Sequence, residues 1–202
     1  MISFDPKKNT ERENYKLLIG SIVPRPIAFV TSVAEDGTVN GAPFSYFNVV
    51  SSNPPMLSIS TQRKNGVQKD TAQNIIKNKD FVVHIVDEQN VEKINITAAS
   101  LPPDESEIEK AGLSLVDSEK VSVPGIREAK VRFECTLEHS LELGENDSVG
   151  TDFLIGKVVQ FYMDEAIYEN GRINHQTLGA VSRLAGSNYA KIGEVFSIER
   201  PK

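Results

Sequence analysis

Pro24-Arg25-Pro26-Ile27-Ala28-Phe29-Val30-Thr31 opens the stretch on which the reading of this chain turns. It continues through Asn40-Gly41-Ala42-Pro43-Phe44-Ser45-Tyr46-Phe47-Asn48 and Asn53-Pro54-Pro55-Met56-Leu57-Ser58-Ile59-Ser60, and closes on Lys69-Asp70-Thr71-Ala72-Gln73-Asn74. The prolines flanking Arg25 forbid helix and set up an extended run. Ile27 to Val33 is β-rich and nearly all apolar, the pattern of a strand buried on both faces. Asp36-Gly37 between two strand-like runs signals a hairpin turn. Val39 to Phe47 is expected as the return strand, with Pro43 marking an edge or bulge. A polar loop through Asn48 leads to a third strand at Met56 to Ser60, and Gln62 to Lys69 is a second loop. Asp70 is expected to cap the helix that follows, with Gln73 completing a capping box. Lys77 and Lys79 complement its dipole at the far end.

Working outward, Glu11 to Ile19 suits a short helix stopping at Gly20. Phe81 to Val86 reads as another buried strand. Residues 90–111 read as two helical pieces divided by Leu101-Pro102-Pro103, the second opening at Asp104 and stopping at Gly112. The acidic run Asp104-Glu105-Ser106-Glu107 is a solvated helix start. Val131 to Leu143 alternates strictly: Val131, Phe133, Cys135, Leu137, His139, Leu141 and Leu143 against Arg132, Glu134, Thr136, Glu138, Ser140 and Glu142. That predicts a long antiparallel strand with one wet face. Gly144-Glu145-Asn146-Asp147 turns the chain, and Phe153 to Met163, apolar on both parities, returns as a central strand. Antiparallel strands with a few short helices make a mainly β, barrel-like body in a single domain, residues 1–202. A barrel removes the sheet edges that would aggregate. No Gly-x-Gly-x-x-Gly follows a strand, which excludes a Rossmann domain.

Hydrophobic residues at 39% and charged residues at 25% are those of a globular chain rather than a disordered one. The net charge of −6, with no block of lysines and arginines, argues against nucleic acid or an anionic membrane as principal partner. A single cysteine, Cys135, permits no intrachain disulfide and no multi-cysteine metal site. With no apolar run of signal-peptide or membrane-spanning length, a cytoplasmic protein is expected.

The chemistry-bearing residues gather near the opening stretch. Lys69, Asp70, Thr71 and the first amides of the helix form an anion site, to which Arg63 or Lys64 could add a second cation. Ser45-Tyr46-Phe47-Asn48 and Ser58-Ile59-Ser60-Thr61 set small polar groups at neighbouring strand ends. A phosphorylated planar cofactor, flavin mononucleotide (FMN), needs this mixture of apolar floor and hydrogen-bonding edge. The alternative for each is plain structure: a capped surface helix, and ordinary strand-end hydroxyls. His84, His139 and His175 have no metal spacing; His84 and His139 read as core or interface residues, and His175, in a loop, is freer to reach a ligand. Cys135 reads as inert. No Gly-x-Ser-x-Gly elbow and no zinc motif supports a hydrolase.

Taken in order, Pro24-Arg25-Pro26 with Ala28-x-Val30-Thr31, Asn40-x-Ala42-Pro43-x-Ser45, Asn53-Pro54-Pro55, Lys69-Asp70-Thr71-x-x-Asn74-Ile75, Glu107-x-Glu109-Lys110-Ala111-Gly112-Leu113, Glu134-Cys135 and Arg183-Leu184-x-Gly186-x-x-Tyr189 resemble the flavin reductase-like, FMN-binding split-barrel family. That family includes flavoredoxins and the reductase component of nitrilotriacetate monooxygenase. The resemblance implies a six-stranded antiparallel split β-barrel and a homodimer, with FMN near the subunit interface. It implies hydride transfer from NADH or NADPH to flavin, serving a monooxygenase or other electron-acceptor protein. The alternative it leaves is a non-enzymatic FMN electron carrier of the flavoredoxin kind. By motif, Lys69, Thr71 and the helix amides would hold the phosphate. Phe47, Asn48 and Val49 would line the ring, with Ser60 and Thr61 below it. Arg183 and Tyr189 would lie at the site or across the interface, and Thr31, Ser45, Arg63 and Asn74 complete the cofactor-binding set. Ala185 stands where family members often carry glycine, which would narrow the approach of the nicotinamide.

Overall fold

The computed structural model describes residues 1–99, 106–145 and 148–201. Thr10 opens the first helix, its hydroxyl accepting the Glu13 N–H at 3.3 Å while the Glu13 carboxylate accepts the Thr10 N–H at 2.7 Å. This capping box starts α1 (Glu11–Ser21). The two prolines then hold a short extended strand, β1 (Arg25–Pro26). β2 (Ala28–Val33) is buried on both faces, as its composition predicts. β3 (Val39–Phe44) runs through Pro43 without a break, because it is an edge strand on which a missing N–H costs no ladder bond. It stops at Phe44 rather than Phe47. The expected polar loop is a strand, β4 (Phe47–Ser52), paired with β5 (Pro55–Gln62) around the Asn53-Pro54 turn. Its pattern hid it: Val49 and Val50 are both exposed, so no buried periodicity marks this edge.

α2 (Asp70–Asn78) also departs from expectation. Lys69, not Asp70, is its N-cap, no side chain caps it, and Gln73 donates instead to the Gln68 carbonyl at 2.9 Å. Asp70 sits one residue too late for its carboxylate to turn back on the first free amides. β6 (Asp80–Ile85) is followed by α3 (Val91–Ile96) and α4 (Glu107–Lys110), the latter capped by Ser106. Leu101-Pro102-Pro103 and the expected start at Asp104 lie outside the described residues. β7 (Leu115–Val116) and β8 (Gly125–Ile126) pair with each other. β9 (Val131–Glu145) and β10 (Ser148–Met163) form the longest hairpin; Asn146 and Asp147 of its turn also lie outside the described residues. A 3-10 turn (Glu165–Ile167), β11 (Tyr168–Glu169), β12 (Arg172–Ile173), α5 (His175–Leu178), β13 (Val181–Arg183) and β14 (Tyr189–Lys191) complete the described elements.

The main sheet is antiparallel, in the order β3-β2-β6-β9-β10-β5-β4. It has seven strands rather than six, and its edges β3 and β4 are not bonded to each other, so the curled sheet is split. One face packs Val30, Ile59, Phe81, Val83 and Leu154 around Ala72 and Ile75 of α2. On the other face Phe29 and Val86 meet Ile94, Ile108, Ile126 and Val181. Alternate β2 residues therefore enter different cores.

β9 does not have the single wet face that its alternation predicts. Glu134 is 1% exposed and accepts the N–H groups of Glu119 and Lys120 at 2.9 and 2.6 Å, because the segment ahead of β8 folds over that face. From Glu138 to Glu145 every residue is exposed, His139, Leu141 and Leu143 included. Among the described residues no helix is long and apolar enough to cross a membrane.

Candidate functional site

The Ser60 N–H donates to the Tyr46 carbonyl at 2.8 Å, which seats the Ser45–Tyr46 link beside the end of β5. Opposite stands Lys69, extended at φ −74° and ψ 148° before the uncapped start of α2. The first amides of that helix are therefore left for an outside acceptor. The Lys69 ammonium lies 5.6 Å from the centroid of the Phe44 ring, which holds it at the mouth of the space between. That space is a cleft of about 290 Å³, walled by Ser45, Ser60, Gln62, Lys69, Arg183 and Tyr189 among others. It continues into an apolar lobe of about 350 Å³ walled by Leu18, Ile22, Pro24, Pro26 and Phe47. Both lobes share Ile19, Arg25, Ser45, Tyr46 and Ser60, so they form one groove with a polar end and an apolar end.

The far wall is the loop between β13 and β14. Arg183 stacks over the Tyr189 ring at 4.5 Å and donates to the Gly186 carbonyl at 2.6 Å. Tyr189 donates to Asn95 of α3 at 3.0 Å, tying the loop across the mouth. Behind it, the Arg25 guanidinium donates to the carbonyls of Ile19, Ile22 and Leu184 at 2.7, 2.6 and 3.0 Å. Arg25 so supplies the cation that the last turn of α1 lacks.

Charge is distributed unevenly over the molecule. The chain carries −6, yet among the described residues the groove walls hold Arg25, Lys69 and Arg183 and no carboxylate or histidine. Burial raises the pKa of the Tyr46 hydroxyl, and the nearby Arg25 charge partly offsets that rise. Such a groove suits an anion with a flat apolar body.

Of the residues expected at a cofactor site, Ser45, Phe47, Asn48, Ser60, Lys69, Arg183 and Tyr189 all line this groove. The others are placed elsewhere. Thr31 is fully buried and donates to the Pro124 carbonyl at 2.7 Å. Thr61 is fully buried too, its hydroxyl without a partner. Thr71 faces the core, where its hydroxyl accepts from Asn40 at 2.8 Å, and Asn74 donates to Ser32 at 3.2 Å. Val49 is 75% exposed on the edge strand. Arg63 is held by Asp152, at 3.0 and 2.6 Å, and by Glu142. Lys64 lies in a turn bridged to Val67, away from the walls. Ala185 is not a wall residue, although its neighbours Leu184 and Gly186 are.

His84 is the satisfied core histidine expected. Nδ1 lies 3.0 Å from the Phe29 carbonyl and Nε2 accepts the Ile126 N–H at 2.9 Å, so the ring is neutral with its proton on Nδ1. Burial lowers its pKa to about 3. Burial likewise pushes the Cys135 thiol well above its ordinary range, as an inert thiol requires. His175 opens α5 beside a shallow hollow lined by Asn170 and Arg172, apart from the groove. Among the described residues no metal-binding cluster exists. Sequence reasoning missed Arg25, Tyr15, Gln62 and Asn95 as wall residues. Only Arg25 carried a signal, a cation between two prolines that cannot move aside.

Residues 19–178 match the family described as the flavin reductase like domain. The uncharacterized protein YwrF of Bacillus subtilis (strain 168) is 52% identical over 204 residues, which is 100% of both chains. The crystal structure of nitrilotriacetate monooxygenase component B from Bacillus cereus superposes with a TM-score of 0.96 at 56% identity, covering 98% of each chain. That of Pseudomonas fluorescens 2-nitrobenzoate 2-nitroreductase NbaA gives 0.89 at 30% identity, covering 99% of this chain and 96% of the other.

Proposed function

This chain belongs to the flavin reductase-like family, and from that premise we propose that it is a cytoplasmic NAD(P)H-dependent FMN reductase whose flavin lies in the groove beside α2. One observation carries the reading: an acidic chain whose groove has three cationic side chains and no acidic one among the described residues, with Lys69, the N-cap of the uncapped helix α2, among its walls. The residues fit the cofactor. Lys69 and the first-turn amides suit a phosphate. Ser45 and Ser60 offer hydroxyls midway, and Pro24, Pro26, Ile22 and Phe47 give a planar ring an apolar bed.

When bound, FMN supplies the hydride acceptor and the nicotinamide the donor. The protein's part is positional. The Arg183–Tyr189 face at the mouth would receive the dinucleotide, and the apolar lobe would exclude water from the reacting atoms. The resemblance to a monooxygenase component B supports an oxygenase as the consumer of reduced flavin. Exposed Leu18 and Ile22 on the apolar lobe, with Val49 exposed on the edge strand β4, support a second copy of the chain packing there, as a homodimer.

The test begins with the purified protein. Quenching of FMN fluorescence on titration, followed by oxidation of NADH or NADPH by the loaded protein, is the expected result. A protein that binds FMN but oxidises neither nucleotide is not a reductase, and one that does not quench FMN has no flavin site.

A further inference from the structure

Arg25 and Arg183 are register partners in the antiparallel pairing of β1 with β13. Two cationic side chains thus stand directly opposite each other, an arrangement that destabilises a strand pair unless something offsets it. Among the described residues no carboxylate lies within ion-pair distance of either. The two arginines differ in freedom. Arg183 is half-buried at the mouth and stacked on Tyr189. Arg25 is 6% exposed and clamped: Nη1 serves two carbonyls, Nη2 a third, and Nε is buried without a partner.

Three of the five N–H donors of Arg25 thus serve carbonyls, two of them at the negative end of α1, and no carboxylate balances its charge in the buried wall common to both lobes of the groove. A buried charge is costly unless an opposite charge shares the site. We infer that Arg25 is the fixed counter-charge of the reduced flavin ring, acting through space to favour reduced over oxidised FMN. The inference rests on the FMN reading and deepens it. Transfer of a hydride breaks the C–H bond at the dihydronicotinamide C4 and forms an N–H bond at flavin N5. Two electrons and one proton move, the nicotinamide leaves as a cation, and the ring gains one negative charge. A fixed cation nearby lowers the energy of that product, more strongly in a dry groove than in water. Lys69 is placed for the phosphate, and Arg183 is screened by solvent. The other titratable wall residues are Tyr15, Tyr46 and Tyr189.

The midpoint potential of protein-bound FMN, measured against reference dyes across neutral pH, tests this. If one proton accompanies the two electrons, the potential falls by about 30 mV per pH unit, and by twice that if two protons do. Wild type is expected to follow the one-proton slope. Arg25→Gln is expected to lose at least tenfold of the preference for reduced FMN, about 30 mV. Arg25→Lys, which keeps the charge but not the three-carbonyl clamp, should stay within threefold of wild type. A two-proton slope in wild type, an unchanged potential in Arg25→Gln, or equal shifts in the Lys and Gln variants overturns the inference. Should Arg25→Gln not fold, the wild-type slope and the Lys variant decide. Wild type that fails to quench FMN at all would remove the flavin reading itself, and this inference with it.

Discussion

Arg63, just past the end of β5, and Asp152 of β10 grip each other with two prongs, Nε to Oδ2 at 3.0 Å and Nη2 to Oδ1 at 2.6 Å. Gln68 adds a third donor to the same carboxylate at 2.8 Å, and Glu142 joins from the solvent side. Hydrogen bonds to the two carboxylates raise the arginine's pKa, so it stays charged. The cation expected to serve a ligand is thus committed to the fold.

Arg63→Ala should destabilise the protein by about 3 kcal/mol, because it leaves Asp152, 1% exposed, without its counter-charge. Urea unfolding measures this. The ratio of FMN to riboflavin affinity should not move, and a loss confined to FMN would return Arg63 to the phosphate site.

Lys69→Ala should do the reverse. Only FMN carries the phosphate, so removing one charge-assisted hydrogen bond should weaken FMN by about 1.5–3 kcal/mol, roughly tenfold to a hundredfold, and leave riboflavin nearly unchanged. Fluorescence quenching with both ligands is the measurement. Equal weakening of the two would place the phosphate elsewhere.

Arg183→Gln removes the cation at the mouth but not the walls behind it. The expected outcome is a rise of about tenfold in KM for the nicotinamide donor, with FMN affinity within threefold of wild type. Steady-state kinetics at saturating FMN shows which constant moves; a large FMN effect with unchanged KM contradicts the assignment.

His84 makes stability depend on pH. Its folded pKa, about 3, lies below the ordinary 6.5, so between those values the unfolded chain binds the extra proton. Its contribution is present above pH 6.5 and is lost as pH falls toward 3. Between pH 7 and pH 5 that amounts to about 2 kcal/mol. In His84→Gln this part of the pH dependence should vanish from urea unfolding curves. An identical pH dependence in both proteins would mean that another group titrates.

Gly156 lies under the Phe81 ring: an added Cβ would come within 2.2 Å of Cζ. Phe81 is fully buried, so the ring has nowhere to go. Gly156→Ala should cost about 1–3 kcal/mol by overpacking, read as a lower midpoint in urea. A neutral result would show that the sheet relaxes at the irregularity between Ile155 and Gly156.

The mainly β body, its buried strands β2, β6 and β10, and the helix start near residue 70 were all legible in the residues, because local pattern carries them. Ile27 to Val33 could bury both faces only inside a sheet, and Asp36-Gly37 could only turn. The edge strand β4 was hidden because an edge that faces solvent needs no apolar alternation. Glu134 escaped for the opposite reason: nothing local says that a distant segment will bring two amides to its carboxylate.

The site divides along the same line. Residue types and their order alone identified a helix start beside strand-end hydroxyls, and seven of the thirteen side chains proposed for the cofactor do line one groove. Which cations stay available was decided only by folding. Pairing with Asp152, 89 residues along the chain, withdraws Arg63, and the meeting of β1 with β13 brings Arg25 opposite Arg183. Charge compensation depends on distances through space, which the order of residues along a chain does not contain.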